Sequence, residues 1–116
     1  MGKRFHITIF DNFHRGDLDA CWSGGSFSTA KEAIAAVKVG VDQELKHMWP
    51  QVGLGGQRDR TIDGLVDYYH SFAEEPVAFD QNSKAIFDTG AYVKARAAEI
   101  VTGRRRILAE TGSCAG

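Results

Sequence analysis

Residues 29–48 read TAKEAIAAVKVGVDQELKHM, and the rest of the chain is organised around this stretch. Thr29 and Glu32 form the T-x-x-E capping box. The threonine hydroxyl accepts from the Glu32 amide, and the Glu32 carboxylate returns to the Thr29 amide. Ile34, Val37, Val41, Leu45 and Met48 then recur every three or four residues, which makes one apolar stripe on a helix. Lys31, Lys38, Asp42 and Lys46 lie off that stripe. Lys38–Asp42 and Asp42–Lys46 have the spacing of ion pairs along a helix surface, each contributing roughly 0.2–0.5 kcal/mol. Gly40 inside the helix costs about 1 kcal/mol relative to alanine, which points to a neighbour packed too close for a side chain. Pro50 ends the helix.

On the N-terminal side, residues 3–10 read as a strand. Phe5, Ile7 and Ile9 fall on one face, and His6, Thr8 and Phe10 on the other. The polar cluster from Asp11 to Asp17 reads as a turn or hairpin loop. Ala20–Phe27 reads as a second strand, with a bulge or bend expected at Gly24-Gly25. Two short strands with one loop between them form an antiparallel hairpin.

On the C-terminal side, Gln51–Arg60 is a connector rich in glycine, with Gly53, Gly55 and Gly56. Thr61 caps a second helix expected to run to about Glu74. Ile62, Leu65, Val66, Tyr69, Phe72 and Ala73 form its apolar face, and Pro76 is its stop. Val77-Ala78-Phe79 and Lys84-Ala85-Ile86-Phe87 compete for a short third strand. A third helix follows Asp88. Phe87 and Tyr92 stand in the hydrophobic-staple arrangement, and Gly103 is the C-terminal cap. The expected fold is α+β: a small antiparallel sheet packed against three helices, in the order β-β-α-α-(β)-α.

The chain has 116 residues, which suits one domain. That domain is expected over 1–110, with a disordered tail over 111–116. Hydrophobic residues make up 43% and charged residues 25%, a composition that supports a core. Fourteen Lys and Arg against 15 Asp and Glu give a formal net charge of −1, which excludes strongly basic nucleic-acid proteins and acidic tails. No apolar run reaches the ~20 residues of a membrane helix, and the stretch from Met1 lacks the apolar core of a signal peptide. Cys21 and Cys114 make no disulfide framework. The expected compartment is the cytoplasm.

Asp11, Asn12, His14 and Asp17 bring four groups with ligand or proton-transfer capacity into seven residues. Together they form the candidate ligand or partner site, and Asp11, His14 and Asp17 are the strong metal ligands among them. The same Asp and Asn side chains also suit Asx turns that serve only the loop. Arg15-Gly16-Asp17 spells an integrin-binding tripeptide, a match short enough to arise by chance. Gly53-Leu54-Gly55-Gly56 lacks both the preceding strand and the G-K-S/T ending of a phosphate loop, so it reads as a connector. Arg104, Arg105 and Arg106, with Lys94 and Arg96 upstream, form a local basic patch. Cations at a helix C-terminus are also stabilising in themselves. Zinc-site spacings, nucleophile elbows and cofactor-binding signatures do not occur, so no cofactor is expected.

Ile9-Phe10-Asp11-Asn12-Phe13-His14 and the run from Gly25 to Ile34 resemble a group of small bacterial proteins of unknown function. That group shares a strand ending in D-N-F-H and a G-x-F-x-T-x-x-E-A lead into a helix. Ala73-Glu74-Glu75-Pro76-Val77 and the helix around Tyr92-Val93-Lys94-Ala95-Arg96 fit the same pattern. The likeness extends to about Gly103 and implies no activity. Arg15-Gly16-Asp17 departs from the Tyr-Met-Asp-like stretch of that group. A shorter likeness of about 30 residues is to the hairpin-and-helix start of HicB-type antitoxins, whose N-terminal domain neutralises a partner toxin; the chain lacks a matching DNA-binding module.

Taken together, the residues favour a non-enzymatic interaction or binding protein that self-associates or meets a protein partner; a short sheet with an exposed edge and helices rich in aromatic residues are compatible with a dimer. Two rival readings are a small metal-dependent enzyme using Asp11, His14 and Asp17, and a regulatory protein touching nucleic acid through Arg104–Arg106.

Overall fold

The computed structural model describes residues 3–14, 20–53 and 60–103. Strand β1 (Phe5–Asp11) runs into a 3-10 turn at Asn12–His14, and β2 (Cys21–Phe27) returns beside it. Helix α1 (Ala30–Met48) follows, then a 3-10 turn at Trp49–Gln51, helix α2 (Ile62–Phe72), strand β3 (Glu74–Phe79) and helix α3 (Thr89–Thr102). The sheet is antiparallel in the order β2-β1-β3, so β1 is central. The α+β class and the element order are those expected from the sequence. The tail at 111–116, Asp17, Arg104–Arg106 and the connector beyond Gly53 lie outside the described residues.

Local capping chemistry sets the helix boundaries. Thr29 Oγ1 accepts from the Glu32 amide at 3.1 Å, and Glu32 Oε1 accepts from the Thr29 amide at 3.2 Å. Thr61 accepts from the Gly64 amide, and Asp88 from the Ala91 amide. Gly103 closes α3 in the left-handed region at φ 70°, where glycine has no Cβ penalty. Arg60 lays its guanidinium 3.9 Å from the Trp49 ring centroid and donates to the Trp49 carbonyl. That contact fastens the approach to α2 against the end of α1.

The helices pack on the sheet face that carries Phe5, Ile7 and Ile9. Ile7, Val37, Val41, Leu45, Leu65, Tyr69, Ala78, Val93 and Ala97 are buried together. Val37, Val41, Leu45 and Met48 of the expected α1 stripe are buried, and at its N-terminal end Ala33 is fully buried in place of Ile34, which is half-buried. Gly40 has the predicted close neighbour: a Cβ there would lie 3.2 Å from Pro76 Cγ.

Pro76 is a strand residue and does not stop α2. The helix ends at Phe72, and Ala73 turns extended so that Glu74 can pair with Asp11. Pro76 stands opposite Ile9, and its carbonyl accepts from the Thr89 hydroxyl at 2.9 Å. The carbonyl therefore points away from β1, and the missing N–H falls on the same outer edge. The rival strand at 84–87 reduces to one bridge, Phe79 to Ala85, with the Ile86 amide donating to the Ala78 carbonyl.

Asp42 reaches across to α3 instead of along its own helix. Its Oδ1 accepts from Tyr92 Oη at 2.9 Å and from Arg96 Nε at 2.8 Å. Burial, followed by this hydrogen bond, pushes the Tyr92 phenol up to about 12. Lys38 lies over the Phe87 and Tyr92 rings, which also make the expected staple contact. Among the described residues, no helix is long and apolar enough to cross a membrane.

Leu45→Ala is expected to cost roughly 2–4 kcal/mol and Thr29→Ala about 1 kcal/mol. Urea unfolding of the two variants checks both values. An unchanged midpoint for Leu45→Ala would refute the packing of α1 described above.

Candidate functional site

The 3-10 turn after β1 brings together two of the four expected site residues. Asp11 Oδ1 accepts from the Phe13 amide at 3.0 Å, and Oδ2 pairs with His14 Nδ1 at 2.8 Å. The hydrogen bond from His14 holds the Asp11 carboxyl below its ordinary value. The pair lies on the surface, with the His14 side chain 56% exposed and that of Asp11 26%.

Asn12 points the opposite way. It is buried, and its Nδ2 donates to the Tyr69 carbonyl at 3.2 Å and to Glu75 Oε1 at 2.9 Å. Its amide donates to the Ala73 carbonyl at 2.9 Å. Asn12 thus ties the turn to the end of α2 and to β3, a structural role that explains its burial. Phe13 stacks on Phe72 with centroids 5.4 Å apart, so Phe72 is 40% exposed at this turn and stands outside the core expected to hold it. Among the described residues, no three His, Cys, Asp or Glu stand close enough to hold a metal ion. The Asp11–His14 pair can exchange a proton with solvent, but within the described turn it is a two-residue contact.

The sheet itself presents surfaces that the search for polar ligands missed. His6, Thr8 and Phe10 alternate onto the face away from the helices, with Val77 and Phe79 beside them on β3. None of the five is buried, and Phe10, Val77 and Phe79 stand apart from the core cluster. His6 stacks on Phe79 at 5.6 Å. The period-two pattern of residues 3–10 carries the signal, since it places Phe10 on one face with His6 and Thr8.

The two edges of the sheet differ. At β3 the outer carbonyls of Pro76 and Ala78 are taken by Thr89 and Ile86. At β2 no further strand pairs among the described residues. The edge strand carries the expected bulge. Ile7 pairs with Gly25 and Thr8 with Ser23, which leaves Gly24 as the extra residue, and Gly25 has φ 121°. A Cβ at Gly24 would lie 2.7 Å from Ile7 Cγ2, so only glycine fits.

Between β2 and the flank of α1 runs a groove of about 210 Å³. Ile7, Ile9 and Gly24 form its floor, Ala36 and Gly40 its wall, and Glu44 and Glu74 one end. Burial, together with the charge of Glu74, raises the Glu44 carboxyl above its ordinary value. Comparison of the chain with known protein families, curated proteins and solved structures finds no match.

Asn12→Ala should destabilise the protein by roughly 1–3 kcal/mol, because it removes two hydrogen bonds of a buried side chain, one of them to the Glu75 carboxylate; thermal and urea unfolding read the loss. In a carboxyl NMR titration, Asp11 should have its midpoint below 3.8, its ordinary value. His14→Ala should raise the midpoint by removing the largest cause of the shift. Because the folded pKa is the lower one, the stabilisation from this pair is present above the unfolded pKa and disappears as pH falls through the folded one.

Proposed function

We propose that the protein is a non-enzymatic interaction protein that works by self-association through its sheet. The carrying observation is the uneven covering of that sheet. Among the described residues, helices and the 84–89 segment close one face and the β3 edge, while nothing packs on the opposite face or pairs with the β2 edge. An antiparallel sheet can leave one face in water when that face is polar, but here the face carries Phe10, Val77 and Phe79. An unpaired strand edge is a template for another chain, and natural sheets block it with charges, proline, a bulge or a covering segment. β3 has charges at Glu74 and Glu75, the proline and the covering segment. β2 has no charged residue and no proline, and its one such device is the bulge at Gly24.

Light scattering during gel filtration should give a mass near twice the 12.7 kDa of the chain, falling towards one chain on dilution. A single-chain mass at every concentration overturns the reading. If zinc or manganese then raises the melting temperature, as binding to the folded state requires, the metal-dependent reading at the Asp11 turn takes its place.

A further inference from the structure

We infer that the partner on the β2 edge is a second copy of the same chain, with β2 paired antiparallel to its own equivalent about a two-fold axis between Gly24 and Gly25. This inference rests on the self-association proposed above and specifies the surface and the register. Residues 22–27 read Trp-Ser-Gly-Gly-Ser-Phe, a palindrome in side-chain class. A two-fold antiparallel pair sets each residue of a strand against the residue in the mirrored position of its copy. Here that places Trp22 against Phe27, Ser23 against Ser26 and Gly24 against Gly25.

The faces agree as well as the classes. Trp22 pairs with Ile9 and Phe27 with Phe5, so both aromatics stand on the helix side. Ser23 pairs with Thr8 and Ser26 with His6, so both serines stand on the open side. The bulge makes this possible, because its extra residue shifts the alternation between Trp22 and Phe27. Aromatic pairs and serine pairs across neighbouring strands are both stabilising.

The charge pattern also admits a second copy. In a strand paired with itself, a charged side chain close to the two-fold axis meets its own like charge. β2 carries none, whereas β1 carries Asp11 and β3 carries Glu74 and Glu75. The border of the edge on the helix side carries two exposed apolar residues, Trp22 at 43% and Val39 at 55%, beside Gln43 and Glu44 of the groove. Val39 follows Ala36 around the flank of α1 that walls the groove. A copy seated on β2 covers this border together with the strand edge.

A mixing experiment tests the register. Two proteins are made in a Cys21→Ser, Cys114→Ser background, one with Ser23→Cys and one with Ser26→Cys. Directly opposed residues in an antiparallel pair lie within disulfide reach. Under mild oxidation, each protein alone should stay a single chain on a non-reducing gel, and the mixture should give a covalent dimer. In parallel, the S23K/S26K variant should dissociate at about tenfold higher concentration than the native chain. Mixing it with S23E/S26E should restore the dimer. Both serines are exposed, so circular dichroism should show every variant folded. A dimer that forms no mixed disulfide and ignores the charge changes overturns this inference and leaves self-association through another surface. Single chains throughout, native protein included, overturn both.

Discussion

The backbone of α1 meets the sheet at Gly40, against the ring of Pro76, and the position of the other elements depends on that approach. Pro76 is held from its far side by the Thr89 hydroxyl, so helix, strand and the start of α3 form one stack. The contact lets Val37, Val41 and Leu45 reach the core without a void beneath them. It also draws α1 towards β3. Beside that contact the helix flank, small at Ala36, stands off Gly24 of β2, which opens the groove, and among the described residues no segment pairs with the edge strand.

The second tie is Asn12. Its amide and side chain reach Ala73, Tyr69 and Glu75, so the end of the central strand is fixed to the junction of α2 and β3. A segment that reads as a chemical site from its polar side chains is therefore divided in use. Asn12 serves the interior, Asp11 supports the turn backbone, and His14 remains at the surface on its carboxylate partner.

Features set by short-range chemistry were legible in the sequence. The Thr29 and Asp88 caps, the left-handed Gly103, the bulge at Gly24-Gly25 and the Asx turn of Asp11 at Phe13 all involve neighbours within a few residues. Features set by distant contacts were not. The burial of Ala33 over Ile34 depends on how closely α1 approaches the sheet. Pro76 is ambiguous in a sequence, because a proline that stops a helix and one that sits on a sheet edge look alike without the Thr89 contact. Phe72 keeps helical period with the core residues, yet Phe13, far away in sequence, gives it a different neighbour. The inward turn of Asn12 was hidden for the same reason, since its acceptors lie near the other end of the fold.

The central position of β1 has a consequence for how the chain assembles. Its pairing with β2 is a local hairpin, whereas its pairing with β3 joins Ile7 to Ala78 across two intervening helices. Closing so long a loop costs entropy before any contact rewards it, and topologies dominated by distant pairings fold slowly. The hairpin and α1 are thus the part of the chain able to organise first, with Ile7 and Ile9 already on the face the helix covers. β3 pairs only once the chain has brought Glu74 back to Asp11, so the sheet is expected to assemble from the hairpin side towards β3.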